Sequence, residues 1–290
     1  MTAASGKDRW FPILNHTFFV VVGLAMVAPM IHLLAVSFSS TEFVNAKQVY
    51  FWPRGLNFQV YDSIFQQKKL WKSLGVSVYI TALGTLIALF FTSTIAYALS
   101  RPQMPARKLI LRAVVLTFVF SVPLIPSYLL VRTLQMDNTL WALMIPGALG
   151  AFNIIIMKTF FQGLSAELFD AAQMDGCSEY GIFARIAIPL SMPVIATIAL
   201  FHAVGQWNSY FSALIYIRTK DMYPLQVLLR NMVMEGQVQD SMSASEMASS
   251  FTPEQMKAGV VLFATLPIVV VYPLLQRHFV KGAMLGSLKE

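Results

Sequence analysis

"FDAAQMDGCSEYGIFARIAIPLSMP", residues 169–193, places three acids, Asp170, Asp175 and Glu179, and one base, Arg185, between long apolar runs. Its local chemistry predicts two short helices joined by a sharp turn. Ser165 can cap a helix that begins at Ala166, and Glu167 and Asp170 suit the positive end of that helix. Gly176 can take the left-handed conformation that closes a helix. Ser178 can cap a second helix with Glu179 in its first turn, and Pro189 suits the first position of the apolar segment that follows, where no N–H is needed. Leu168 and Ala172 stand four apart, as do Asp170 and Met174, so each pair shares a helix face. Ala171 and Ala172 are small enough to let another surface come close. The stretch therefore reads as a rigid protrusion anchored at both ends. The competing reading is a helix lying on lipid, but such helices carry many Lys and Arg on their polar face, and this one carries mostly acids.

Outward from this stretch the chain turns apolar. Of its 290 residues 57% are hydrophobic and 12% charged, against about 25% charged in ordinary soluble domains. Six stretches, 10–41, 73–100, 113–131, 138–157, 186–217 and 258–276, contain no Asp, Glu, Lys or Arg. A membrane-spanning helix needs about 20 mainly apolar residues, and backbone in lipid must satisfy its own hydrogen bonds. A barrel would show alternating segments of about ten residues instead. The expectation is an all-α membrane protein with six transmembrane helices, over about 12–41, 73–100, 113–131, 138–157, 189–217 and 258–277. The N-terminal apolar run is too long for a cleaved signal peptide, so it should remain as the first helix.

Charge sets the orientation. "RPQMPARKLILR" (101–112) holds four bases and no acid, and 277–290 holds three bases and one acid. Lys and Arg favour the inner face, so both termini are expected in the cytosol. The protrusion, over 164–188, then lies on the cytosolic side, and 218–257 becomes a large external segment. Tyr50 and Trp52 suit an aromatic belt at the outer interface. The net charge of +7 is scattered over loops, which gives no footprint for nucleic acid. Cys177 is the only cysteine, so neither an internal disulfide nor a cysteine-built metal site is possible, and no metal is expected.

"DAAQMDGCSEYGIFARIAIP" resembles the signature of ABC-importer permeases: Glu-Ala-Ala, three residues, Gly, nine residues, Ile, one residue, Leu-Pro. Asp170, Ala171, Ala172, Gly176, Ile186, Ile188 and Pro189 stand at those spacings, with Asp170 in place of Glu and Ile188 in place of Leu. The shorter Asp170 side chain bears on the reach of that carboxylate. "IFARIAIPLSMP" is similar to the carbohydrate, maltose-type branch, and the likeness covers most of 70–290, including the ending "QRHFVKGAMLGSLKE". Within that branch the chain looks like the permease subunits of bacterial alginate-oligosaccharide importers.

The resemblance implies a type I ABC-importer permease fold in the bacterial inner membrane, forming half of a pathway for an oligosaccharide. It implies that Leu168, Asp170, Ala171, Ala172, Met174, Asp175, Gly176 and Pro189 couple to a separate ATPase. It also implies that the tail 282–290, with Gly282, Gly286 and Ser287, reaches toward the ATPase pair. The implied partners are a second permease subunit, two ATPase subunits and an external solute-binding protein. ATP and Mg belong to the ATPases, and no cofactor is expected on this chain.

The residues agree with that division of labour. No G-x-x-x-x-G-K-[ST] exists to cradle phosphates, and no H-E-x-x-H or G-x-S-x-G suggests an enzyme. An ion-coupled carrier of small polar solutes is the alternative. Such carriers hold ionisable relays inside the membrane, whereas the six stretches offer only His16, His32 and His202, and His202 reads as a packing residue. The most polar stretch within a span is "GQWNSY" (205–210). Gln206, Asn208, Ser209 and Tyr210 could line a sugar pathway with Trp207 stacking on a sugar face, and Asn153 is a second candidate. Interhelical hydrogen bonding is the competing use of the same residues.

Overall fold

Among the described residues every regular element is a helix. The computed structural model describes residues 10–120, 122–234 and 251–287, with the backbone alone at 233, 272 and 274–287. In chain order the helices are α1 (Trp10–Phe38), α2 (Thr41–Asn45), α3 (Gln59–Gln66), α4 (Lys68–Ser100), α5 (Arg107–Val119), α6 (Leu124–Thr133), α7 (Trp141–Met144) and α8 (Ala151–Gln162). There follow α9 (Ala166–Met174), α10 (Glu179–Ile182), a π-helical turn (Phe183–Ala187), α11 (Ile188–Leu190), α12 (Met192–Trp207), α13 (Phe211–Tyr216), a 3₁₀ turn (Lys220–Met222), α14 (Leu225–Met234) and α15 (Pro253–Ser287).

Among the described residues three helices are long and apolar enough to cross a membrane: α1, α4 and the Pro253–Val271 part of α15. α1 leaves Phe11, Phe18, Leu24 and Met26 more than half exposed, a surface suited to lipid rather than water. Two bent pairs pass the same test together, α5 with α6, and Glu179–Leu190 with α12, the second bent by 79°. Counting each pair as one span gives five.

The expected span over 138–157 is built differently, as α7 and α8 separated by a break. Pro146 has no N–H to donate one turn back, and Gly150 before α8 is extended (φ −117°, ψ 126°). The run 186–217 is also interrupted. Pro189 and Pro193 each remove a helical hydrogen bond, and Ser191 between them leaves helical geometry (φ −100°, ψ 10°), so the long helix begins at Met192 rather than at Pro189. Within the expected external segment the chain forms the 3₁₀ turn and α14, and 235–250 lie outside the described residues.

The described chain forms two compact units. The first takes the chain up to Lys68 with Leu229–Thr265. Its core gathers Ala35, Val36, Val44, Val49 and Ala258. Gln255, fully buried, donates to the Ser39 carbonyl (2.5 Å) and accepts from the Thr252 N–H (2.7 Å). Thr252 Oγ1 in turn accepts from the Gln255 N–H (3.1 Å), a reciprocal capping box at the start of α15 with Pro253 at the first helical position. The second unit takes Lys69–Leu228 and the chain from Leu266. Among its described residues two apolar cores rest on α4. One joins Ile80 to Val131, Met144, Tyr216 and Val227, and the other joins Ala96 and Tyr97 to Met157, Phe161, Val194 and Ile198. The second core also receives Phe169, Ile182 and Ala187, and it is this core that mounts the 164–188 protrusion.

Candidate functional site

α9 begins at Ala166 after Ser165, although the Ser165 hydroxyl makes no capping bond. The helix closes as a Schellman turn. Gly176 sits at φ +79°, its N–H donates to the Gln173 carbonyl (3.0 Å), and the Cys177 N–H donates to the Ala172 carbonyl (2.9 Å). Ser178 then caps α10, its Oγ accepting from the Gly181 N–H (3.3 Å), with Glu179 in the first turn. Gly181 is needed for close approach, since a Cβ there would stand 2.7 Å from Cys177 Sγ.

One side of this helix-turn-helix is a mount and the other a tip. Phe169 and Ile182 are buried in the second core, with Tyr97 and Phe161, and Ala172 is half-buried and packs against it. The small size of Ala172 therefore serves the protrusion's own seat. Ala171 is the small residue that faces out, together with the exposed Asp170, Asp175 and Gly176. Met174 is 89% exposed, Tyr180 86% and Leu168 49%, so three large apolar side chains project from a rigid base. Pro189 is exposed in the short α11 beyond the π-helical turn.

At the root of the protrusion lies a polar and aromatic cluster that the sequence reading did not single out. Arg101, just past the end of α4, places its guanidinium 3.9 Å from the Phe169 ring centroid and 4.8 Å from that of Tyr97. It donates to the Tyr97 hydroxyl (2.6 Å), which donates to Glu179 Oε2 (3.0 Å). Arg101 and Glu179 are 3.8 Å apart, and Gln173 Nε2 donates to Glu179 Oε1 (2.7 Å). The Tyr97 ring also meets Phe161 edge-on, with centroids 5.8 Å apart, and Phe183 at 5.0 Å. The one sequence signal for this cluster is that Arg101 is the first base after the charge-free run 73–100.

The six pathway candidates differ in exposure and bonding, and Ser209 is half-buried. Gln206 donates to the Leu143 carbonyl (2.8 Å), a bond between helices, and a Cβ on Gly84 of α4 would pass 3.8 Å from the Gln206 side-chain amide carbon. Trp207 is buried, so its ring faces protein, and its indole N–H has no hydrogen-bond partner among the described residues. Asn208 is exposed and donates to the Val204 carbonyl one turn back (2.9 Å). Tyr210 is exposed and Asn153, on α8, is half-buried. His202 lies 3.3 Å from the Thr85 hydroxyl, in keeping with a packing role. Gly282, Gly286 and Ser287 fall on the last turns of α15, and 288–290 of the expected tail lie outside the described residues. Among the described residues no cluster of His, Cys, Asp or Glu could hold a metal.

Comparison with known proteins gives a consistent set of likenesses. The family model described as "Binding-protein-dependent transport system inner membrane component" matches residues 104–284. Protein LplC of Bacillus subtilis (strain 168) is 42% identical over 97% of this chain and 95% of its own. The polygalacturonan/rhamnogalacturonan transport system permease protein YtcP of the same organism is 43% identical over 98% of this chain and 99% of its own. A chain in the crystal structure of a bacterial ABC transporter involved in the import of the acidic polysaccharide alginate superposes with a TM-score of 0.91 at 30% identity, covering 96% of this chain and all of that one.

Proposed function

Because the chain belongs to the binding-protein-dependent transport system inner membrane components, we propose that it is one permease half of an ATP-driven oligosaccharide importer. Its helical fold is the type I ABC-importer permease fold. In this reading the chain crosses the bacterial inner membrane six times with both termini in the cytosol. It pairs with a second permease, receives cargo from an external solute-binding protein, and takes its driving force from two ATPase subunits that bind ATP and Mg. The external segment 218–257 faces the binding protein, and the tail 282–290 lies toward the ATPases. The cargo is an oligosaccharide, with alginate oligosaccharides the specific proposal, supported by the likeness to an alginate importer.

One observation carries the coupling role: the exposed apolar tip of Leu168, Met174 and Tyr180 stands on a base buried in the permease core. Large apolar side chains held out by a closed turn suit a groove on another protein, where a few buried side chains supply most of the binding. The ion-coupled alternative has less support, since the six stretches contain no Asp, Glu, Lys or Arg and His202 lies beside the Thr85 hydroxyl.

The test places a charge at the tip and leaves the seat intact. Met174→Glu with Tyr180→Glu should insert at normal levels yet lose the ATPase on co-purification, and identification of the retained subunits by mass reads the result. Full retention of the ATPase by the double variant would remove the docking assignment.

A further inference from the structure

We propose that Arg101 is a positioning residue that clasps the 166–188 protrusion to α4, so that the two move as one body when the ATPases move the tip. The proposal rests on the docking reading above and adds to it the element that receives the motion.

Three separate segments meet at Arg101. Tyr97 comes from the last turn of α4, Phe169 and Gln173 from α9, and Glu179 from α10. The apolar core already seats Phe169 and Ile182 against Ala96 and Tyr97 of α4, and the polar contacts of Arg101 add direction to that seat. Arg101 reaches both short helices, through the Phe169 ring at 3.9 Å and, by way of the Tyr97 hydroxyl, through Glu179. Glu179 also accepts from Gln173, which ties α9 to α10.

The side-chain type matters. Only a planar guanidinium can lie on one ring while donating in its own plane to a hydroxyl beside it. An ammonium is a compact, strongly hydrated charge and cannot do both. The Arg101 to Glu179 ion pair contributes little by itself, because the carboxylate side chain is 55% exposed and water screens it. The stacked contact on buried Phe169 and the two short hydrogen bonds carry the clasp.

The test measures rigidity across the clasp in the assembled complex. Spin labels go at Asp175, on the exposed tip, and at Leu86, an outward position on α4 that is 63% exposed. In the parent complex the distance distribution between them should be one narrow peak, both without nucleotide and with ATP–Mg. In Arg101→Met it should broaden or split when ATP–Mg is added, with the ATPase still present on co-purification. Tyr97→Phe, which deletes one hydroxyl and keeps the ring, should move in the same direction by less, and it serves if Arg101→Met fails to fold. Arg101→Lys should not restore the narrow peak.

Superposition of the Arg101→Met and parent distributions in both states would overturn the clasp, as would full restoration by Lys. Loss of the ATPase from Arg101→Met would also overturn it, by making Arg101 part of docking instead of transmission. Retention of the ATPase by the tip variant Met174→Glu with Tyr180→Glu would sink the docking reading separately, and the label distances would still judge the clasp.

Discussion

Replacing Gly176 should damage the protrusion through backbone strain alone. The residue sits at φ +79°, and a Cβ built there meets no atom within 4 Å. Packing therefore drops out of the cost, and what remains is the penalty of the left-handed region. That penalty is about 1–2 kcal/mol for an ordinary residue, larger for a β-branched one, and smallest for Asn, whose short polar side chain tolerates this conformation. The expected order of stability at this turn is Gly, Asn, Ala, Val. Since about 1.4 kcal/mol is a factor of ten in an equilibrium, Gly176→Ala should raise opening of the turn by roughly five- to thirty-fold.

Hydrogen exchange reads this opening directly, because the N–H groups of Gly176 and Cys177 are the ones bonded to Gln173 and Ala172. Their exchange should quicken in the stated order while amides in the middle of α4 keep their protection. Retention of the ATPase should fall in the same order, since an open turn no longer presents Met174 and Tyr180 together. Equal exchange for Gly, Asn and Ala would refute the strain argument. So would a slower rate in Val.

Two further expectations concern the rest of the chain. Gly259→Ala should destabilise the first unit by about 1–3 kcal/mol through overpacking, because its Cβ would stand 2.7 Å from Val60 Cγ1 and 2.9 Å from Ile64 Cδ1, both on fully buried side chains. Thermal unfolding of the purified protein measures it, Val60→Ala should relieve it, and an unchanged midpoint in the single variant would count against the contact. For topology, single cysteines at Asp175 and Lys220 in a Cys177→Ser background should label from opposite sides of the membrane, Lys220→Cys from outside and Asp175→Cys after permeabilisation; labelling of both from one side would defeat the six-span arrangement.

What the sequence makes legible is what residues within four positions of one another decide. Gly176, Ser178 and Glu179 can be read without tertiary information because the closing turn and the next cap are made from their own neighbours. The capping box of Thr252 and Gln255 was equally legible, as "TPEQ" with proline at the first helical position, and it is the kind of signal that a search for apolar runs passes over. The breaks at 145–150 and at Ser191 are hidden for the same reason. An average over twenty residues records the apolar side chains and loses the one missing N–H of Pro146 or Pro193. Other features are beyond local reading altogether. That Ala172 faces its own seat depends on where the core of Tyr97 and Phe161 lies. The contact of Arg101 with Phe169 joins residues far apart in the chain. The bond from Gln206 to the Leu143 carbonyl likewise joins helices far apart in the chain.

The position of the clasp gives α4 a particular mechanical place. Proline lies inside the other two long helices, at Pro29 in α1 and at Pro267 and Pro273 in α15, whereas α4 runs from Lys68 to Ser100 without one. From Ile80, in one core of the second unit, to Tyr97, in the other, it rises about 26 Å, most of the thickness of a hydrocarbon layer. A helix without a kink passes displacement from one end to the other. By contrast the chain after the protrusion leaves helical geometry at Ser191, between α11 and α12, and α12 ends at Trp207, so motion entering it can be absorbed at the break. The protrusion is thus joined by the covalent chain to a segment broken at Ser191, and by Arg101 and the core around Tyr97 to a helix that holds no proline. If motion of the tip reaches the core around Ile80, the route without a proline is through Arg101, Tyr97 and α4. The loss of one guanidinium should then separate docking from transmission, because the tip stays in place while the rod is released.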